Sequence, residues 1–229
     1  MSQRMRWTPG YRIIRTIYPP IDLFEDIADP ADWELLVSAE AKLNPRIRDE
    51  VGNLALVPMD HRINGATASI AMGTFTHVSI DRPSRFSDGS YGVWYCGDRV
   101  EVALAETAHH FQRFVRLTSE PPADADFRLL TCAVGGKIEL APVECLVQED
   151  WRPGQHFGRQ MRAKGLDGIV YQSVRYPIGR AAAIFWPNCL TLPIVQSQQF
   201  RYRWDGNRMT HYLLHGSTDW TPWPIPGVA

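Results

Sequence analysis

Arg85, Tyr95 and Glu106 fall within 22 consecutive positions of a 229-residue chain, and their side chains could serve one reaction. An arginine's planar fork suits phosphate or carboxylate. A tyrosine ring can stack on a flat heterocycle while its hydroxyl reaches a wet edge. A carboxylate can orient a ribose hydroxyl or stabilise positive charge developing on a sugar. Each residue also has a plainer reading. Arg85 can be an ordinary surface arginine, Tyr95 plain core, and Glu106 one half of a weak pair with His110, four residues on, along a solvated helix face with Arg113. Ser173 closes the apolar run GIVYQS (168–173). No Gly-x-Ser-x-Gly elbow surrounds it, so a hydrolase-type nucleophile is not expected. Its hydroxyl can hold a phosphate or carboxamide, or simply bond nearby backbone.

These groups need elements to position them. Arg85-Phe86-Ser87-Asp88-Gly89 is turn-rich, residues 93–96 (VWYC) read as a short strand, and a turn at Gly97-Asp98 starts a helix. Asp98 can be its N-cap, with Glu101 three residues later completing a capping box. Val100, Leu104, Ala108, Phe111 and Val115 make an apolar stripe at helical spacing. Val102 and Ala105 lie towards Glu106, so that side is not cleanly polar. A strand–turn–helix unit of this kind can gather loop arginine, strand tyrosine and helix glutamate around one cleft.

Around this unit, residues 11–17 read as a first strand. Asp29 as N-cap, Pro30 at the first position, and Trp33, Leu36, Val37 and Ala41 at helical spacing predict a helix. A second is expected from Asn44-Pro45 to near Gly52. Residues 75–80 look strand-like, and 119–126 (SEPPADAD) a loop. Residues 127–134 and 137–140 read as a hairpin turning at Gly135-Gly136. A short helix is expected at 160–164, then strands at 168–173, 182–186, 190–195 and 200–204, and an irregular Pro- and Trp-rich tail at 217–229. The pattern predicts a single α+β domain over 1–229: a core of about 10–205 and a helical N-terminal insertion at about 29–82.

Composition narrows the function. Hydrophobic residues make up 45% of the chain, enough for a sizeable core. Net charge is −1, which argues against direct nucleic-acid binding, because neutralising phosphates needs a basic surface. No apolar leader and no membrane-length apolar run is seen, so a cytoplasmic protein without a membrane role is expected. Cys96, Cys132, Cys145 and Cys189 lack CxxC or zinc-finger spacing and read as buried free thiols. The seven histidines form no HExxH or other zinc pattern, so no metal is expected. Neither a Gly-x-Gly-x-x-Gly fingerprint nor a phosphate loop is present, which excludes a Rossmann dinucleotide site.

Taken in order, several short segments resemble the RES family, the toxin half of bacterial RES–Xre (ParT/ParS-like, MbcT/MbcA-like) toxin–antitoxin pairs. They are Tyr11-Arg12, Arg85-Phe86 before a Gly-containing loop, the strand ending at Tyr95, Ala103-Leu104-Ala105-Glu106, Gly168-Ile169-Val170-Tyr171-Gln172-Ser173, and Phe185-Trp186-Pro187-Asn188. The resemblance spans roughly residues 10–205. Ser84 and Ser87 depart from the family's Gly-Arg-Trp/Phe-Asn, and the stretch 29–82 is longer than in compact members. The resemblance implies a fold like that of the ADP-ribosyltransferase toxins, which is not a Rossmann fold. It implies that Arg85, Tyr95, Glu106 and Ser173 line an NAD-binding cleft, with Arg85, Glu106 and Ser173 in catalysis. His110, one turn after Glu106, is read from its position as orienting that carboxylate or a hydroxyl of NAD, and of the early arginines Arg12 and Arg15, Arg12 is expected to reach the cleft. The activity the resemblance implies is cleavage of the nicotinamide–ribose bond by phosphorolysis or hydrolysis, with NAD as substrate and inorganic phosphate as a possible co-substrate. The alternatives are ADP-ribosyl transfer to a host protein and a non-catalytic binding module. The implied partner is an Xre/ParS-like antitoxin that blocks the cleft.

Overall fold

The computed structural model describes residues 2–17, 32–40, 51–147 and 150–228. Strands β1 (Gln3–Arg15), β2 (Trp94–Gly97), β3 (Ala123–Leu140), β4 (Gly168–Gln172), β5 (Arg180–Ile184), β6 (Leu190–Trp204), β7 (Met209–Leu214) and β8 (Thr221–Pro222) form one sheet in the order β1-β2-β5-β4-β3-β6-β7-β8. Strand β1 also pairs along β3, so β1, β2, β5, β4 and β3 close on themselves while β6–β8 extend from β3. Every pairing is antiparallel except β3–β4. A parallel pair needs a crossover, and helix α4 (Arg152–Ala163) lies in the connection between those two strands. The fold is therefore the expected mixed α+β type and not a doubly wound parallel sheet.

Helices α1 (Trp33–Glu40), α2 (Ala68–Thr76) and α3 (Val100–Leu117) precede β3. Trp33, Met72 and Phe75 bury against Trp94, Leu130 and Ile184 of the sheet. Helix α3 is held by two cores at once. Leu104, Ala108, Phe111 and Val115 of the expected stripe pack with Ile13, Phe127 and Tyr202, whereas Val102 and Ala105 enter a second cluster with Phe86, Tyr171 and Phe185. Glu106 follows Ala105 and lies four residues beyond Val102. Two apolar flanks make α3 rigid where the glutamate sits.

Several local expectations are corrected. Gly135-Gly136 is no turn: β3 runs straight through it, with Met5 opposite Gly136 and Arg6 opposite Gly135. A Cβ at Gly136 would lie 2.6 Å from Cβ of Asp167, whose carboxylate accepts from Lys137 N at 2.7 Å. The glycine is there for close approach. Residues 75–80 are not a strand, since Phe75 and Thr76 end α2. Strand β3 begins at Ala123, inside the expected loop, and residues 190–195 and 200–204 are parts of one strand, β6. Asp98 does not cap α3. Arg99 occupies that position, and the Asp98 carboxylate accepts from Arg180 N at 3.0 Å instead. The tail holds the short β8 and a buried Ile225. The proposed cap Asp29 and nearly all of the second helix from Asn44 lie outside the described residues, as does Ala41. Within 29–82 the described parts are α1, two 3-10 turns and α2. The helix expected at 160–164 is α4, which begins at Arg152.

Candidate active site

Helix α3, strand β2, the 83–86 turn and the start of α4 enclose a cleft of about 340 Å3. Its lining includes Arg12, Arg85, Tyr95, Glu106 and His110. Ser173 is behind the wall, 1% exposed, and its Oγ donates to Glu106 Oε1 at 2.8 Å. The same Oγ accepts from Arg175 N at 3.3 Å and Tyr176 N at 3.0 Å. Those two backbone donors fix the hydroxyl, so its proton is directed at the carboxylate. Ser173 thus acts on the cleft through Glu106.

Burial pushes the Glu106 pKa up, while the bond from Ser173 and the charges of Arg85 and Arg175 pull against it. The result is a carboxylate stripped of much of its water and set among cations. Among the described lining residues it is the one acid. Electrostatic stabilisation of a developing cation is stronger in such a site than in water.

The arginines are held in different ways. Arg85 Nη1 donates to the carbonyls of Val147 (3.1 Å) and Cys145 (3.4 Å). Arg12 Nη1 donates to Tyr95 O at 3.1 Å, its guanidinium lies 4.4 Å from the Trp94 ring centre, and burial lowers its pKa to about 10. Its Nε is buried without a hydrogen-bond partner. Of the two early arginines, Arg12 lines the cleft; Arg15 lies over the Phe111 ring at 5.8 Å.

Tyr95 does more local work than its sequence suggests. Its hydroxyl accepts from Phe86 N at 3.0 Å and donates to Ser84 Oγ at 2.9 Å, so it ties the Arg85 turn to β2 and is not free at a wet edge. Burial pushes its pKa up to about 12, keeping the phenol neutral and able to donate. Tyr95→Phe is expected to leave Phe86 N–H without its partner and lower stability by about 1–3 kcal/mol. Denaturant unfolding checks this, and an unchanged midpoint would mean that the turn is held by other contacts.

Helix α4 grips the turn from outside. Gln155 Nε2 donates to Ser84 O at 3.1 Å, and Gly154 and Gly158 let the helix backbone lie directly on the carbonyls of Arg85 and Phe86. The first residue before the helix, Trp151, reaches the cleft wall.

A family model described as the RES domain matches residues 59–205. The chain belongs to the RES domain family. An uncharacterized protein, y4oC, of Sinorhizobium fredii (strain NBRC 101917 / NGR234) is 29% identical over 212 residues, covering 91% of this chain and 87% of that one. Among solved structures, the crystal structure of the M. tuberculosis MbcT–MbcA toxin–antitoxin complex aligns with a TM-score of 0.36 and 16% identity, over 47% of this chain and 64% of that chain. The RES segment holds the cleft-lining residues from Pro83 to Ala181, with Ser173 behind them; Tyr11, Arg12 and Ile13, on β1, come from outside it.

Three residues near this RES-family cleft were given no role from sequence. Arg175, 9% exposed, is two residues beyond Ser173, and its Nη2 donates to His109 Nε2 at 2.9 Å. That bond requires an unprotonated Nε2, and burial followed by the Arg175 charge lowers the His109 pKa to about 3. The adjacent pair therefore splits its duties: His109 faces Arg175, while His110 faces the cleft mouth, with its own pKa pushed down by burial and by Arg175, Arg85 and Arg113. Trp151 is the third. Its only sequence signal is its position just ahead of Pro153 in the first turn of a helix that two glycines had hidden.

Proposed function

We propose that this RES-family protein is a toxin that consumes NAD by cleaving the nicotinamide–ribose bond, with phosphate or water as acceptor. The observation that carries the reading is Glu106: a desolvated carboxylate, oriented by Ser173, alone among arginines on a cleft wall. Departure of neutral nicotinamide leaves positive charge on the ribose and needs little acid catalysis. The chemistry therefore asks for one well-placed carboxylate, and Glu106 supplies it. Arg85 and Arg12 would hold the pyrophosphate or the incoming phosphate, and Tyr95 would form part of the surface under the substrate. His110, one turn after Glu106, would contact a hydroxyl as a neutral imidazole. None of these roles needs a metal.

A protein that drains NAD from its own cytoplasm requires restraint, so we further propose an Xre/ParS-like antitoxin that closes the cleft, as the family resemblance implies. No described helix is long and apolar enough to cross a membrane, which is compatible with this setting. The test is NAD consumption by the purified protein with and without inorganic phosphate. Loss that depends on phosphate is the expected result and identifies phosphorolysis, with phosphate-independent loss identifying hydrolysis. Intact NAD in both buffers, with label from NAD passing onto lysate protein, would instead support ADP-ribosyl transfer. No loss and no transfer would overturn the reading in favour of a binding module.

A further inference from the structure

We propose that Trp151 is the platform on which the adenine ring of the dinucleotide stacks, and so sets the preference for a dinucleotide over a mononucleotide. The inference rests on reading the cleft as an NAD site and assigns the end of the substrate away from the reaction. Trp151 is half-buried, lines the cleft, and carries the Arg113 guanidinium 4.7 Å from its ring centre. The His110 ring meets it nearly edge-on at 6.3 Å between centres. Its backbone is fixed, because Trp151 O accepts from Gln155 N at 2.8 Å and Gln155 binds the Arg85 turn. An aromatic surface is thus held in place before any ligand arrives.

Two arguments assign it to adenine and not to nicotinamide. The first is distance. Nicotinamide is bonded to the carbon that reacts, so it must lie within a ring's width of Glu106. Trp151 instead meets α3 at His110 and Arg113, four and seven residues on. That is about 6 and 10 Å along a helix rising 1.5 Å per residue. The second is charge. Nicotinamide in NAD is a pyridinium cation, and an indole already carrying the Arg113 guanidinium is a poor seat for a second cation. The cation belongs beside Glu106. Adenine is neutral and stacks on an indole without that charge repulsion.

The test compares NAD with nicotinamide mononucleotide, which lacks the adenosine half, on the wild type, Trp151→Ala and Trp151→Phe. For Trp151→Ala the expected result is a KM for NAD raised about tenfold or more, with kcat and the mononucleotide's kinetics little changed. Trp151→Phe should recover most of the loss, since a phenyl ring still stacks. Equal losses on both substrates would place the indole at the reacting half and overturn the assignment, as would no loss on either. Calorimetric titration with AMP gives an arm independent of turnover. Binding to the wild type that is lost in Trp151→Ala supports the platform even where NAD is not cleaved. Equal AMP affinity for the two proteins, or AMP binding to neither, counts against it. Failure of NAD cleavage alone counts against the proposed activity.

Discussion

Glu106→Gln is expected to lower kcat for NAD cleavage about a thousandfold while leaving KM within a few-fold of the wild type. Glutamine keeps the shape and the carbonyl oxygen that accepts from Ser173 Oγ, so the 2.8 Å bond survives and the cleft keeps its form. What disappears is the negative charge, whose value rises as the ribose becomes cationic and is small for the ground state. A role confined to the transition state reads out in kcat. Stability should move the other way. The native state raises the Glu106 pKa through burial, so the folded protein favours the protonated carboxyl. The stability this provides is complete below the unfolded pKa and is lost as pH rises through the folded value. At pH 7 the wild type therefore carries the cost of an ionised, desolvated group that the amide does not, and the variant should melt at or above the wild-type temperature. The gap should close as pH falls below about 4, the unperturbed range for glutamate. A variant that melts well below the wild type at pH 7 would show that the carboxylate is a structural ion-pair member. One that keeps full activity would remove Glu106 from the chemistry.

The same residue shows what a sequence can and cannot disclose. Periodicity located α3 and its buried stripe because apolar side chains at three- and four-residue spacing have one cheap solution, a helix lying on a sheet. The mixed character of the Glu106 side, with Val102 and Ala105 nearby, was also readable, and its cause is that α3 touches two cores. Strands β2, β4 and β5 declared themselves as short apolar runs. Two of the failed readings trace to glycine. Gly135-Gly136 has the composition of a turn, yet Gly136 is needed in mid-strand so that Asp167 can approach. Gly154 and Gly158 lower helix propensity by roughly 1 kcal/mol each and hid the first half of α4. With it they hid Trp151. Local propensity counts what a glycine loses and cannot see the backbone packed against it. The partner of Ser173 was out of reach for a related reason: 67 positions separate it from Glu106, and only the sheet order β1-β2-β5-β4-β3 brings the end of β4 beside α3. Arg175 and His109 meet through the same topology.

Gly158→Ala should be among the most damaging single-methyl changes in this chain, although alanine is the better helix former. On an exposed helix the exchange gains about 0.5–1 kcal/mol. Here the new Cβ would stand 2.2 Å from Phe86 O and 3.0 Å from the Tyr91 hydroxyl. The near atom is backbone, in a turn pinned by Tyr95, so it cannot rotate away as a flexible side chain would. Helix and turn must separate by more than an ångström, which strips contacts from Phe86, itself fully buried with Tyr171. Overpacking of this kind costs about 1–3 kcal/mol and at times more, enough to outweigh the propensity gain. Urea unfolding should show a lower midpoint with an unchanged slope. Because Arg85 and Trp151 hang from the two halves of this contact, KM for NAD should rise in the fraction that stays folded. A midpoint raised above the wild type would mean that α4 does not bear on the Phe86 carbonyl. The grip of α4 on the Arg85 turn would then fail with it.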